Sequence, residues 1–331
     1  MNLLICDDSK VAQKNIARSL PQNWNVTIEF ADNGQQALDR IQHGQVDLLF
    51  LDLTMPVMDG FEVLTQIRAQ QLDVLVVVVS GDIQAESKNR VKQLGALGFV
   101  HKPIQGNELN ELLSQYGLIQ ELVSNAPVRQ LVNHQALQAS DVLKEVCNIA
   151  LGDAAKSLGA MLDTFIQLPI PIVRSMSYAD VPNSFRFPAR THVNAVSEGF
   201  VGHQIAGEAL LLLDNRTLND LPSKLAHYLE HDFNNMRESV FLDIASLLIA
   251  SFLKRFASQL DLDFNISQPS IVALDKPIES LLNTHSHHET VLVVDIDYSI
   301  PDYDLDCDLI VIFSQNSIPI LTERAEYLLD A

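Results

Sequence analysis

From residue 2 to about residue 116 the chain alternates short apolar runs with stretches of helical periodicity, and few folds accommodate that alternation. Leu3–Cys6, Val26–Phe30, Leu48–Leu51, Val74–Val79 and Phe99–Val100 read as strands. Val11–Leu20, Gln35–Ile41, Phe61–Ile67, Ala85–Leu94 and Glu108–Leu113 read as the helices between and after them. Strands that are apolar throughout, rather than at every second residue, must be covered on both faces. The pattern therefore predicts an α/β domain with a parallel sheet between helical layers. In such a sheet, ligands bind beyond the carboxyl ends of the strands, where the strand order reverses.

Chemistry-bearing residues fall at those ends. Asp7 and Asp8 follow the first strand, Asp52 the third, Ser80 the fourth and Lys102 the fifth. Three gathered carboxylates repel one another unless a cation joins them, and an all-oxygen donor set suits Mg²⁺. Lys102 offers a compact positive charge to a phosphoryl oxygen, and Ser80 a hydroxyl to another. Asp52 is then a candidate nucleophile toward a phosphorylated donor, forming an acyl phosphate. Any one of these acids alone reads as a solvated strand end or helix cap. All five residues together, each at a strand end, do not.

The segments Ile-Cys-Asp7-Asp8-Ser, Leu-Asp52-Leu-Thr-Met-Pro56-Val-Met-Asp-Gly60, Val-Val-Ser80-Gly-Asp and Phe99-Val-His-Lys102-Pro103 resemble the CheY-like response-regulator receiver family. The resemblance implies a five-stranded sheet of flavodoxin-like order over 1–118. It implies phosphorylation of Asp52 by a histidine kinase, with Mg²⁺ held by Asp7, Asp8, Asp52 and the Thr54 backbone carbonyl. It also implies that Ser80 and Phe99 are coupled switch residues and that the Lys102-Pro103 bond is cis. Ser80 stands where Thr is equally usual, and Phe99 where Tyr is common.

The 331 residues exceed what one core needs, so a second domain is expected. With 47% hydrophobic residues the chain can bury a sizeable core, and its net charge of -20 opposes binding to nucleic-acid phosphates. Cys6, Cys147 and Cys307 lack the spacing of a zinc site or a disulfide framework and read as small buried hydrophobes. No signal peptide or membrane-spanning run is visible, which makes a cytoplasmic location the expectation.

Residues 119–139, with Pro127, read as a partly helical connector, and 140–331 as the second domain. That domain carries an internal duplication, over about 140–230 and 231–331. Asp141, Glu145, Asn148 and Pro171 recur 98 residues later as Ser239, Asp243, Ser246 and Pro269. Each copy reads as a long helix, strands and a shorter helix, an α+β pattern whose copies pack about a pseudo-twofold axis. Asp141, Glu145 and Asn148, spaced i, i+4, i+7, project from one face of the first helix, expected to be exposed. Val142, Val146, Ile149 and Ala150 form the opposite, core-facing side. A carboxamide can hold a water in line with phosphorus without ionising, and a carboxylate one turn away can pair with a lysine. Alone, Glu-x-x-Asn on a helix is far more often a solvated polar face. The proline after 22 further residues and the second copy shift that balance.

This region resembles the CheC/CheX/FliY phosphatases, which hydrolyse aspartyl phosphate on CheY-like receivers, and Asn148-Ile-Ala-Leu-Gly-Asp-Ala-Ala matches their usual continuation. The resemblance implies that Glu145 pairs with a receiver lysine while Asn148 orients the attacking water. In the second copy Asp243 is a methylene shorter and Ser246 lacks the carboxamide, so it reads as a degenerate site. His285, His287 and His288 read as a solvated loop rather than a metal site.

The sequence therefore describes a two-component signalling protein that dephosphorylates a CheY-like receiver under control of its own Asp52. Control would act by releasing an inhibitory contact or by forming a homodimer. Two alternatives stay open: that phospho-Asp52 is itself the substrate, or that the second domain is a phosphorylation-dependent adaptor without catalysis. Chemotaxis is the setting that the family resemblance associates with it.

Overall fold

Five parallel strands form the sheet that the N-terminal alternation predicts: β1 (Asn2–Cys6), β2 (Thr27–Ala31), β3 (Leu48–Leu51), β4 (Leu75–Ser80) and β5 (Gly98–His101). Their order is β5-β4-β3-β1-β2, so the direction of strand addition reverses between β1 and β3. The helices are α1 (Lys10–Ser19), α2 (Gly34–Gln42), α3 (Gly60–Ala69), α4 (Ala85–Gln93) and α5 (Gly106–Gln115), all within two or three residues of the sequence reading. Successive strand residues point to opposite faces. Leu4, Cys6, Leu49, Leu51, Val76 and Val78 accordingly join one core with α2 and α3 residues such as Leu38, Val63 and Leu64. Leu3, Ile5, Leu48, Phe50, Val77 and Val79 join another with Ile16, Leu109 and Leu113 of α1 and α5. Ser9 caps α1 by accepting from the Ala12 amide, and Asp59 and Glu62 form a reciprocal capping box on α3.

The computed structural model describes residues 1–21, 24–104, 106–116, 118, 130–131, 138–187, 191–224, 236–281, 289–300, 303 and 305–330. Most of the expected connector, and His285, His287 and His288, lie outside the described residues. Within the connector, β6 (Gln130–Leu131) adds a sixth, parallel strand beside β2, which the sequence reading did not contain. The chain divides into two compact units, Met1–Glu145 and Val146–Ala331, and the division falls inside a single 24-residue helix, α6 (Ala139–Leu162).

The second unit displays the duplication. After α6 come β7 (Ile172–Ser177), β8 (His192–Gly202), β9 (Ile205–Asp214) and α7 (Asn215–Lys224). The second copy runs α8 (Met236–Gln259), β10 (Asn265–Ile266), β11 (Ser270–Pro277), β12 (Thr290–Ile300), β13 (Leu305–Phe313) and α9 (Ser317–Asp330). All strand pairs described here are antiparallel, with β9 beside β13 at the centre and Leu210 opposite Ile310. Strands cross between the copies: β7 pairs with β12 and β11 with β8. Neither copy can complete its own edge, so the two fold as one sheet. One sheet face packs Val193, Ala195, Leu210, Leu212, Val293 and Ile310 beneath the segment carrying Val181 and Phe185. Helical aromatics serve the other face, where the rings of Phe256 and Phe313 lie 5.3 Å apart. Among the described residues no helix is long and apolar enough to cross a membrane.

Candidate functional site

The parallel register of β1 and β3, Cys6 opposite Leu51, brings Asp7 and Asp52 out of the sheet side by side. The Asp52 amide donates to the Cys6 carbonyl at 2.9 Å, and the Asp7 amide to the Ala31 carbonyl at 3.1 Å, which fixes both backbones. One carboxylate oxygen each from Asp7, Asp8 and Asp52 lie within 4.8 Å of one another. From the end of β5, Lys102 Nζ reaches Asp7 Oδ2 at 2.7 Å and Asp52 Oδ1 at 3.5 Å. Its amide donates to the Ser80 carbonyl at 3.0 Å, so the lysine and the serine hydroxyl are set by adjacent strand ends. The Lys102-Pro103 bond is cis, as the resemblance implies. Gly60 meets a steric requirement: a Cβ there would lie 2.2 Å from the Asp52 carbonyl oxygen. In the loop between them Val57, 81% exposed, holds a φ of 71°, strained for a β-branched residue. Thr54 and Phe99 are half-buried, and the Phe99 ring lies 5.0 Å from that of His101.

Burial governs the charges. It pushes the Asp52 carboxyl up to about 7; Lys102 opposes the shift while Asp8 and Glu145 add to it. Asp8 is likewise pushed to about 7 by burial and then by Asp7. Asp7 is raised too, first by burial, with Lys102 pulling the other way. For Lys102 burial disfavours the ammonium, but Asp52, Asp7 and Glu145 outweigh it and hold the group charged. Asp8 Oδ1 is buried without a hydrogen-bond partner among the described residues. An orphaned carboxylate oxygen within a three-acid oxygen cluster fits a hard divalent cation.

Two surrounding groups escaped the sequence reading. Gln13 Nε2 donates to the Asp7 carbonyl at 2.7 Å and to the Ala31 carbonyl at 3.0 Å, bracing the acidic turn. Its signal was a lone polar residue within the apolar face Val11, Ala12, Ile16, Ala17. Beside Ser80, Asp82 is buried and accepts from the Gln84 amide at 2.9 Å and from the Ser87 hydroxyl.

On α6 the core side is as expected, with Val142, Val146, Ile149 and Ala150 buried. The expected exposure of the polar side needs correction at Glu145, which is only 5% exposed. Within the first unit its Oε1 lies 3.3 Å from Lys102 Nζ, so an ion pair with a buried cation, not the helix's apolar face, takes it out of water. Asn148 is half-buried, its Oδ1 buried and without a partner among the described residues. Asp141 Oδ2 accepts from the Gln138 amide at 3.0 Å and so closes the first turn of α6. Pro171 is buried at the residue before β7, and Pro269 stands at the matching place before β11.

In the second copy Asp243 and Ser239 are exposed. Ser246 neighbours Glu198 of β8, a carboxylate 1% exposed whose pKa burial raises while the Ser246 hydroxyl pulls it down; Glu198 Oε1 is without a hydrogen-bond partner among the described residues. Ser246 thus faces a buried acid of its own domain. Nothing at Glu198 in the strand's sequence announces that partner, since it depends on how the helix crosses the sheet.

Residues 3–114 match the family model for the response regulator receiver domain, and this part of the chain is such a domain. The chain is 34% identical over 124 residues to the probable C4-dicarboxylate response regulator DctR of Priestia megaterium, covering 37% of this chain and 54% of that protein. It is 26% identical over 190 residues to the protein-glutamate methylesterase/protein-glutamine glutaminase of Clostridium acetobutylicum, covering 53% of this chain and 55% of that one. It thus spans about half the length of these curated relatives. Similar solved structures include Thermotoga maritima FliY, with 18% identity and a TM-score of 0.44 over 59% of this chain and 100% of that one. Vibrio cholerae CheY4 is 28% identical, with a TM-score of 0.32 over 34% of this chain and 96% of that one.

Proposed function

We propose that this two-component signalling protein is a phosphatase for the aspartyl phosphate of a receiver, regulated through Asp52. The observation that carries the reading is the Glu145–Lys102 pair, in which a helix carboxylate engages the charged lysine of an acid pocket. Asn148 lies three residues beyond Glu145 on the same helix, so the two side chains would enter a receiver's pocket together. Its carboxamide would orient a water whose oxygen attacks phosphorus as the bond to the aspartyl oxygen breaks. The carboxylate leaves, inorganic phosphate is released, and the water's proton goes to the phosphate or solvent. Asp7, Asp8, Asp52 and the Thr54 carbonyl would hold Mg²⁺, which supplies charge neutralisation at the phosphoryl oxygens. Lys102 and Ser80 would hold those oxygens, and Phe99 with Ser80 would report the phosphorylated state. A histidine kinase is the proposed donor to Asp52.

The same pair favours the chain's own phospho-Asp52 as a substrate beside a separate CheY-like receiver. Full-length protein phosphorylated at Asp52, and a phosphorylated partner receiver mixed with the Asp52→Asn protein, separate these substrates. Asn148→Ala should slow decay of the true substrate by about 10²-fold, the typical loss for a transition-state hydrogen-bond group. Equal decay with and without the Asn148→Ala substitution, for both substrates, overturns the reading and leaves the non-catalytic adaptor.

A further inference from the structure

Where α6 and α8 run together in the second unit they border an open surface groove of about 530 Å³. Its lining includes Lys156, Ser157 and Asp153 from α6, and Ser251, Lys254 and Arg255 from α8. The chain as a whole carries 42 acidic against 22 basic residues, yet this lining has three cations and one acid. Lys156 and Lys254 stand 98 residues apart, the spacing of the duplication, so each copy contributes the same cation to the groove. Arg255 is neutralised in part: its Nε lies 3.0 Å from Asp153 Oδ2. Among the described residues neither lysine has a carboxylate partner.

Two ammonium groups without carboxylate partners among the described residues line one groove, and a dianion seated there would gain attraction from both. The hydroxyls are already engaged, Ser251 donating to Ser157 Oγ at 3.2 Å and Ser157 to the Asp153 carbonyl at 2.9 Å. Recognition here therefore rests on charge, which makes it sensitive to salt. A volume of about 530 Å³ falls in the range of small-molecule sites and is far more than a bare phosphate fills.

We propose that the groove between α6 and α8 is an effector site for a small phosphorylated anion of mononucleotide size, clamped by Lys156 and Lys254. The source of the phosphoryl group, free phosphate or a nucleotide, is read from two probes.

Titration calorimetry on the full-length protein in EDTA, with AMP and with inorganic phosphate separately, tests this. Binding of AMP should weaken by about tenfold in the Lys156→Gln/Lys254→Gln protein, the worth of two exposed ion pairs. It should also weaken as salt rises, and a Lys156→Arg/Lys254→Arg protein should retain it. Tighter uptake of AMP assigns the site to a nucleotide; equal uptake of phosphate assigns it to the phosphoryl group alone. No heat from either probe with the unaltered protein, or equal binding by the Gln and unaltered proteins, overturns the proposal. Unchanged circular dichroism and phosphorylation of Asp52 establish that the variants fold.

Discussion

Helices α6 and α8 have the same length, 24 residues, and the same place in their copies, yet their polar faces have opposite fates. On α6 Glu145 pairs with Lys102 within the first unit, and the Asn148 carboxamide oxygen is left without a partner among the described residues. On α8 Ser246 faces the buried Glu198 of the same domain, while Asp243 is exposed to solvent. A buried carboxamide oxygen left unmatched by its own fold is a candidate for matching something else, whereas a hydroxyl has less reach and faces an acid of its own sheet. On the proposed function, that difference would separate a helix that acts on a receiver from one that supports the sheet.

The comparison can be broken by exchanging roles. The largest effect should come from Asn148→Ala, slowing receiver dephosphorylation by about 10²-fold, whereas Ser246→Ala should leave the rate unchanged. A comparable loss from both substitutions, measured as phosphate release from a phosphorylated receiver, would erase the distinction. Next in size, Ser246→Ala should destabilise the fold by at most about 1 kcal/mol, because Glu198 loses the neighbouring hydroxyl that favours its ionised form. Urea unfolding measures this; no change in midpoint would deny Ser246 its structural role. Adding Asp243→Glu and Ser246→Asn to the Asn148→Ala protein should not restore activity, since Glu198 still lies beneath position 246. Recovered phosphate release would show that α8 had lost only its side chains.

The smallest effect concerns the acid pocket, where three gathered carboxylates face one buried ammonium. Asp8 and Asp52 are raised to about 7, so their neutral forms favour the fold at low pH. That contribution is complete below the ordinary carboxylate pKa and fades as pH rises through about 7, when the ionised acids repel. Magnesium must displace protons below that pH and relieve repulsion above it. The rise in melting temperature on adding Mg²⁺ should therefore be larger at about pH 8 than at about pH 6. An equal rise at both values would remove the carboxyl cluster as its cause.

Much of this was legible in the residues alone. Runs such as Val76–Val79, buried without interruption, require cover on both faces, and that alone sets the parallel sheet. The 98-residue offset marks the duplication because matching residues recur in matching elements, Pro171 before β7 and Pro269 before β11. The exchange of β7 and β11 between copies was not legible, since apolar periodicity names a strand but not its neighbour. Nor was the burial of Glu145, because no local pattern around a glutamate reports a lysine 43 positions earlier in the chain. Bracing by Gln13 was half-visible, as a polar break in an apolar stripe whose partners are backbone atoms and leave no trace in composition.

Because β11 completes the first copy's sheet and β7 the second's, deleting either copy leaves the survivor with a bare edge. Selection can therefore relax on the polar residues of α8 while every strand behind it stays indispensable. A duplicated segment in that position persists as architecture, whatever its helix carries, because its strands close the sheet of the other copy.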